Sequence, residues 1–167
     1  MNDCNPVATP SELNIHFENV SEDESHVEYP YREIIGALMY ISVATRPDIS
    51  NTISRLAHFV KSPRKCHWLA AKRVLRYLAG TMSAGFVYSK VDKALVGYSD
   101  DWGGCTVDRR SYSGYVFLFS GAAISWRSQK QRTVALSSTE AKYVSLAEAT
   151  KEALYLQSLF RELELSD

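Results

Sequence analysis

The spacing of apolar residues changes at Gly80, and this change limits the fold more than any other feature of the chain. Between Tyr31 and Gly80 the apolar residues recur at helical intervals, whereas beyond Gly80 they fall in short runs rich in β-branched and aromatic side chains. YREIIGALMYISVAT sets Ile34, Ile35, Leu38, Met39 and Ser42 or Val43 along one broad helical face. Thr45-Arg46-Pro47 is a break, and PDISNTISRLAHFV restarts a helix with Pro47 suited to its first turn. In SPRKCHWLAAKRVLRYLAG, Ser62 can cap, Pro63 fits the first helical position and Gly80 can take the left-handed position that ends a helix. Its expected buried side is Trp68, Leu69, Val74 or Leu75, and Leu78.

After Gly80, FVY, ALVGYS, SGYVFLFS and AAISWRS are separated by Gly, Ser and Asp and predict three antiparallel strands joined by turns. SSTEAKY then opens a long helix that runs to about Leu163, with Ala141, Val144, Ala147, Lys151, Leu154 or Tyr155, Ser158 or Leu159, and Glu162 or Leu163 following its period. The fold class is therefore α+β: a small helical unit, a hairpin-rich sheet and one long helix. Three strands and one helix give little to cover both faces of a sheet, so this part reads as the first half of a larger domain. The expected organisation is an extended acidic leader over 1–30, a helical segment over 31–90, and a sheet-and-helix part over 91–167.

A formal net charge of zero gives no argument for nucleic acid or membrane binding. The distribution of charge says more. Residues 11–30 carry six acidic side chains and no basic one, and residues 61–76 carry six basic side chains and no acidic one. The stripe Lys65, Lys72, Arg73 and Arg76 suits a phosphate backbone, although a solvated helix surface accounts for it equally well. Three scattered cysteines form neither a disulfide scaffold nor a zinc pattern and favour a reducing compartment. The N-terminus has no apolar signal-peptide core and no stretch is long enough to span a bilayer, so no membrane partner is expected. RVLR at 73–76 fits the R-x-L-R translocation pattern of secreted effectors of plant pathogens, inside a helix whose composition already explains it.

The stretch that raises a question of chemistry is ALVGYSDDWGG, residues 94–104. Asp100 follows a strand that reads as buried, and a carboxylate at such a strand end is placed to hold Mg²⁺, a hard cation that takes oxygen ligands. Asp-Asp-Trp-Gly-Gly also has the composition of a tight turn. Glu140, at the start of the last helix, could bridge a metal ion with Asp100; as the last residue of Ser137-x-x-Glu140 it could equally close a capping box. Two carboxylates are too few for a two-metal hydrolase. Asp108, beside Arg109 and Arg110, reads as turn or salt-bridge material. His58 and His67 lack second ligands at convincing spacing, and of the three tryptophans only Trp102, beside the acidic stretch, has a claim to contact nucleic acid.

YREIIGALMYISVATRPDIS, HWLAAKRVLRYLAGT, GYSDDWGGCTVDRRSYSGYVFLFSGAAISWRSQKQ and TVALSSTEAKYVSLAEATKEALYLQSLFREL together resemble the Pol polyprotein of copia-type LTR retrotransposons over nearly the whole chain. The resemblance implies that residues up to about 90 are the tail of a reverse transcriptase. Residues from about 94 would then begin its ribonuclease H domain, which cuts the RNA strand of an RNA–DNA hybrid with carboxylates and Mg²⁺. Asp100 matches the first catalytic aspartate and Glu140 the helix glutamate, both as metal ligands. The spacer that usually separates the two aspartates of this motif is absent, so Asp101 takes the first role if the register is shifted. The family's TEAEY stands here as TEAKY, and Lys142 is a cation that can engage nearby carboxylates and weaken metal affinity.

The family's third and fourth catalytic aspartates would lie beyond Asp167, and the polymerase's aspartate pair upstream of Met1. The expectation is a fragment or remnant of a nuclease-bearing polyprotein that is inactive alone, with Mg²⁺ belonging to the parent family and none needed here. It would be located in the cytoplasm or a retrotransposon particle. The alternative is a co-opted, non-enzymatic interaction protein with an unknown protein partner, an RxLR-type effector secreted and delivered to a host cell, with no signal peptide visible in this chain.

Overall fold

The computed structural model describes residues 4–12, 29–90, 94–103 and 109–164. They fall into two compact units, one up to Gly85 and one from Phe86 onward. Most of the expected acidic leader and Asp108 lie outside the described residues.

The first unit consists of α1 (Tyr31–Ala44), a 3₁₀ turn (Pro47–Ile49), α2 (Ser50–Ala57) and α3 (Lys65–Gly80). Its core is Tyr31, Ile35, Leu38, Ile49, Ile53, Leu56, Ala71 and Val74. Each large aliphatic side chain buried there contributes roughly 1.5–3 kcal/mol. On α1 the buried positions are Tyr31, Ile35, Leu38 and Ser42, a helical repeat that leaves Met39 and Val43 exposed. Ser42 is tolerated inside because its hydroxyl donates to Met39 O at 2.8 Å. Pro47 opens the 3₁₀ turn, where the missing N–H costs nothing. Arg46 forks across Asp48 and Thr81, with its NH2 atom 2.7 Å from Asp48 Oδ2 and 2.6 Å from Thr81 Oγ1.

Three local expectations for α3 are corrected. Its N-cap is Arg64, not Ser62, because His67 Nδ1 accepts the Arg64 backbone N–H at 3.0 Å and closes the first turn there. Leu69 is exposed, and the small Ala71 takes the buried place. Gly80 is the last helical residue rather than a left-handed terminator. Its value is close approach, since a Cβ at Gly80 would meet Pro6 Cβ at 2.7 Å.

The second unit holds β1 (Val96–Gly103), β2 (Ser111–Phe119), β3 (Ala122–Lys130) and α4 (Ser138–Glu162). The strands form one antiparallel sheet in the order β1-β2-β3, so β1 is an edge strand. Ser120 and Gly121 join β2 to β3 with φ of 54° and 85°, the backbone of a tight hairpin turn whose twist matches the strands. FVY is not a strand, but it stays close to the sheet: Tyr88 OH donates to Ala123 O at 3.0 Å. A small helical unit followed by three antiparallel strands and a long helix matches the leading part of a ribonuclease H-like α+β arrangement.

The face of α4 against the sheet is Ala141, Ser145, Ala149 and Leu156, with Phe117 the main partner from β2. This corrects the expected face, because Leu154 and Tyr155 are exposed. Small side chains let the helix approach closely, and Ser145 is buried because its hydroxyl donates to Asp100 O at 2.6 Å. Gly97 permits the same closeness within the sheet: a Cβ there would stand 2.5 Å from Phe117 Cε1.

Candidate functional site

Asp100 and Asp101 lie within β1, paired in register with Gly114 and Ser113 of β2. The tight-turn reading of Asp-Asp-Trp-Gly is corrected: the ladder to β2 continues through Gly103↔Ser111, so these residues are strand. The expectation of a buried strand is corrected as well, since an edge strand leaves most of its side chains in solvent and only Asp101 is drawn in. The Asp101 side chain is 6% exposed and that of Asp100 83%, the alternation that a pleated strand imposes on neighbours. The carboxylate held inside the unit is therefore that of Asp101.

Both aspartates meet the same cation. Lys142, one turn into α4, places Nζ 3.1 Å from Asp100 Oδ1 and 3.1 Å from Asp101 Oδ1. The lysine hydrogen bond, followed by the Asp101 N–H, holds the Asp100 carboxyl below the usual carboxylate range. Asp101 and then Asp100 push the Lys142 ammonium above the usual lysine range. Asp101 Oδ1 is buried and accepts no well-formed hydrogen bond, and among the described residues its charge is balanced by the Lys142 ammonium. Ser99, Asp100, Thr139, Lys142, Tyr143 and Leu146 line an open cavity of about 330 Å³ beside this cluster.

Glu140 turns to local work. The Ser137 hydroxyl accepts the Glu140 N–H at 3.1 Å, and Glu140 Oε2 accepts the Leu136 N–H at 2.6 Å. This is the reciprocal arrangement of a capping box, displaced by one residue at its second bond. Mg²⁺ takes nearly octahedral oxygen ligands, but the two aspartates are occupied by an ammonium and Glu140 by a backbone N–H. Among the described residues no group of three His, Cys, Asp or Glu is placed to hold a metal ion. The residues present thus do not fit the Mg²⁺ site of the parent ribonuclease H.

The basic stripe is placed in the first unit and Trp102 in the second. Arg73 NH1 pairs with Glu12 at 2.8 Å, and Arg76 Nε donates to Asn5 O at 2.6 Å, so both arginines of RVLR hold the chain's N-terminal segment against α3. Lys72 Nζ lies 5.8 Å from the centre of the Trp68 ring, and Lys65 is exposed at the helix start. Trp102 stands half exposed opposite Tyr112. His67 is a core residue, stacked on Phe59 at 4.0 Å. Sequence reasoning missed Ser145 and Gln131. Gln131 is buried, and its amide donates to Ser113 Oγ at 2.9 Å and to Ala141 O at 3.0 Å. Neither residue has a distinguishing sequence signal.

Comparison with known proteins agrees with the resemblance. The chain is 52% identical over 129 residues to Secreted RxLR effector protein 161 of Plasmopara viticola, covering 76% of this chain and 91% of that protein. It is 40% identical over 172 residues to the retrovirus-related Pol polyprotein from transposon TNT 1-94 of Nicotiana tabacum, and 42% identical over 160 residues to that from transposon RE2 of Arabidopsis thaliana. Those alignments cover 99% and 95% of this chain but 13% and 11% of the polyproteins. The chain is thus homologous over most of its length to copia-type retrotransposon Pol polyproteins, of which it spans about one-eighth. No family model matches it, and no solved structure does. Among the described residues, no helix is long and apolar enough to cross a membrane.

Proposed function

We propose that the 167-residue chain is a non-hydrolytic member of this family, which keeps a partial ribonuclease H-like scaffold without cutting RNA–DNA hybrids by itself. The observation that carries this reading is the structural use of the carboxylates at both matched family positions: Asp100 and its neighbour Asp101 on Lys142, and Glu140 on the Leu136 N–H. Phosphodiester hydrolysis of this kind needs two divalent ions balanced by several free carboxylates. The parent enzyme's partner is an RNA–DNA hybrid; here Lys65, Lys72, Arg73, Arg76 and Trp102 are the candidate contacts. The test is incubation of the chain with a labelled hybrid and Mg²⁺ or Mn²⁺, beside Asp100→Ala, Asp101→Ala and Glu140→Ala. No product above a protein-free control is expected. Metal-dependent product lost in the variants would refute the reading.

A second reading is favoured by the 52% identity to an effector of which this chain covers nine-tenths. In it the scaffold serves as an interaction protein secreted by a plant pathogen and active in host cells. An antibody against the chain would then detect it in host cytoplasm during infection; retention within the producing cell would exclude this role.

A further inference from the structure

We propose that Lys142 is the resident cation of the aspartate site, a tethered ammonium that stands where a divalent ion would be coordinated and keeps such ions out. Two oxygens from adjacent strand residues converge on one Nζ at 3.1 Å each, and one of them belongs to a carboxylate whose side chain is 94% buried, the complement of its 6% exposure. Asp101 Oδ1 lies 3.1 Å from this point and finds no other donor among the described residues. A buried carboxylate without a compensating charge is strongly disfavoured, so a cation is required here, and the chain supplies its own.

The lysine comes from α4, whose first turn is fixed by the Ser137–Glu140 cap and whose body is tied to β1 by the Ser145 hydroxyl on Asp100 O. Helix and strand thus bring the ammonium and its acceptors together within the second unit. Around them, Ser99 and Thr139 line the same open cavity as Asp100 and Lys142, so the site is open to water and to free ions.

This inference deepens the non-hydrolytic reading of the same site, and its test does not depend on cleavage. Free Mn²⁺ is titrated with the full chain and counted by its electron paramagnetic resonance signal. Wild type and Lys142→Arg should bind only at background level. Lys142→Ala should bind about tenfold more tightly or better, because the repulsion between an ammonium and a divalent ion at this range is removed. Adding Asp101→Asn to Lys142→Ala should abolish the gain. The Lys142 side chain is 63% exposed, so its truncation opens no cavity, and the cost to the fold is that of the lost counter-charge of Asp101. Circular dichroism checks this, and Lys142→Met replaces the alanine variant if the fold is lost. Binding by wild type equal to that of the variant, or no gain on removing the lysine, would overturn the proposal. Either result would leave the absence of hybrid cleavage standing as a separate question.

Discussion

The side-chain amide of Gln131 donates to the backbone carbonyl of Ala141 at 3.0 Å, and so ties the residue that follows β3 to the first turn of α4. The same amide reaches Ser113 Oγ on β2 at 2.9 Å. One buried polar group thereby fixes the helix start, and with it Lys142, over the strand that carries the aspartates.

Gln131→Leu keeps the volume but leaves the Ala141 carbonyl and the Ser113 hydroxyl without their donor. The expected cost is about 1–3 kcal/mol, the penalty for a buried polar group left unpaired. Urea unfolding followed by circular dichroism measures it, and a change within experimental error would contradict the tie.

Gly97→Ala places a methyl group where the Phe117 ring lies, 2.5 Å from Cε1. Phe117 is held in the core by Ala149 and Leu156, so relief has to come from repacking. Overpacking of this kind costs roughly 1–3 kcal/mol, read from the same unfolding curve. Gly36→Ala is the matched control, as its Cβ would meet nothing within 4 Å.

In the first unit the Tyr31 hydroxyl donates to Leu56 O at 2.8 Å. Burial, with a smaller contribution from Cys66, raises its pKa well above that of free tyrosine. The folded chain therefore holds this proton when the unfolded chain has lost it. The stability linked to Tyr31 is complete below the unfolded value of about 10 and falls as pH rises through the higher folded value. Tyr31→Phe should lower stability at pH 7 by about 1 kcal/mol and flatten the alkaline limb of the stability profile. An unchanged limb would contradict the assignment.

Asp48 titrates with the opposite sign. Burial alone would raise its pKa, but hydrogen bonds from Arg46 and Tyr77 and the charge of Arg46 outweigh it and leave the carboxyl below its ordinary value. The stability it contributes is present above the unfolded value of about 3.9 and is lost as pH falls through the lower folded value. Asp48→Asn should reduce stability at neutral pH and make the profile flatter below about pH 4. Denaturant midpoints at pH 3 and pH 7 would show it; an equal loss at both would contradict the linkage.

How much of this was legible in the sequence depended on whether the signal was local. The change of period at Gly80 located the helices and strands, because apolar spacing reports one element at a time. The breaks at Pro47 and between β2 and β3 followed from proline and glycine chemistry. Ala141 was expected on the buried face of α4, but the rest of that face was misread because its contacts are made by Ser145 and Ala149, whose small size matters only once the helix lies on a sheet. Gly80 was misread for a similar reason: its role depends on Pro6, 74 positions earlier in the chain. At the site, the difference in burial between Asp100 and Asp101 follows from the pleat and from register with β2. The use of Glu140 is decided by the backbone at Leu136. Lys142 was visible as a departure from the family pattern, but only the helix-to-strand geometry shows that it reaches both aspartates.

The most direct measurement is single-turnover cleavage of an end-labelled RNA–DNA hybrid with the full chain in excess, in Mg²⁺ and in Mn²⁺. The account predicts no product above the protein-free reaction with either ion. Divalent-dependent product that disappears in Asp101→Asn would show that the aspartates work as metal ligands despite Lys142, and would contradict it.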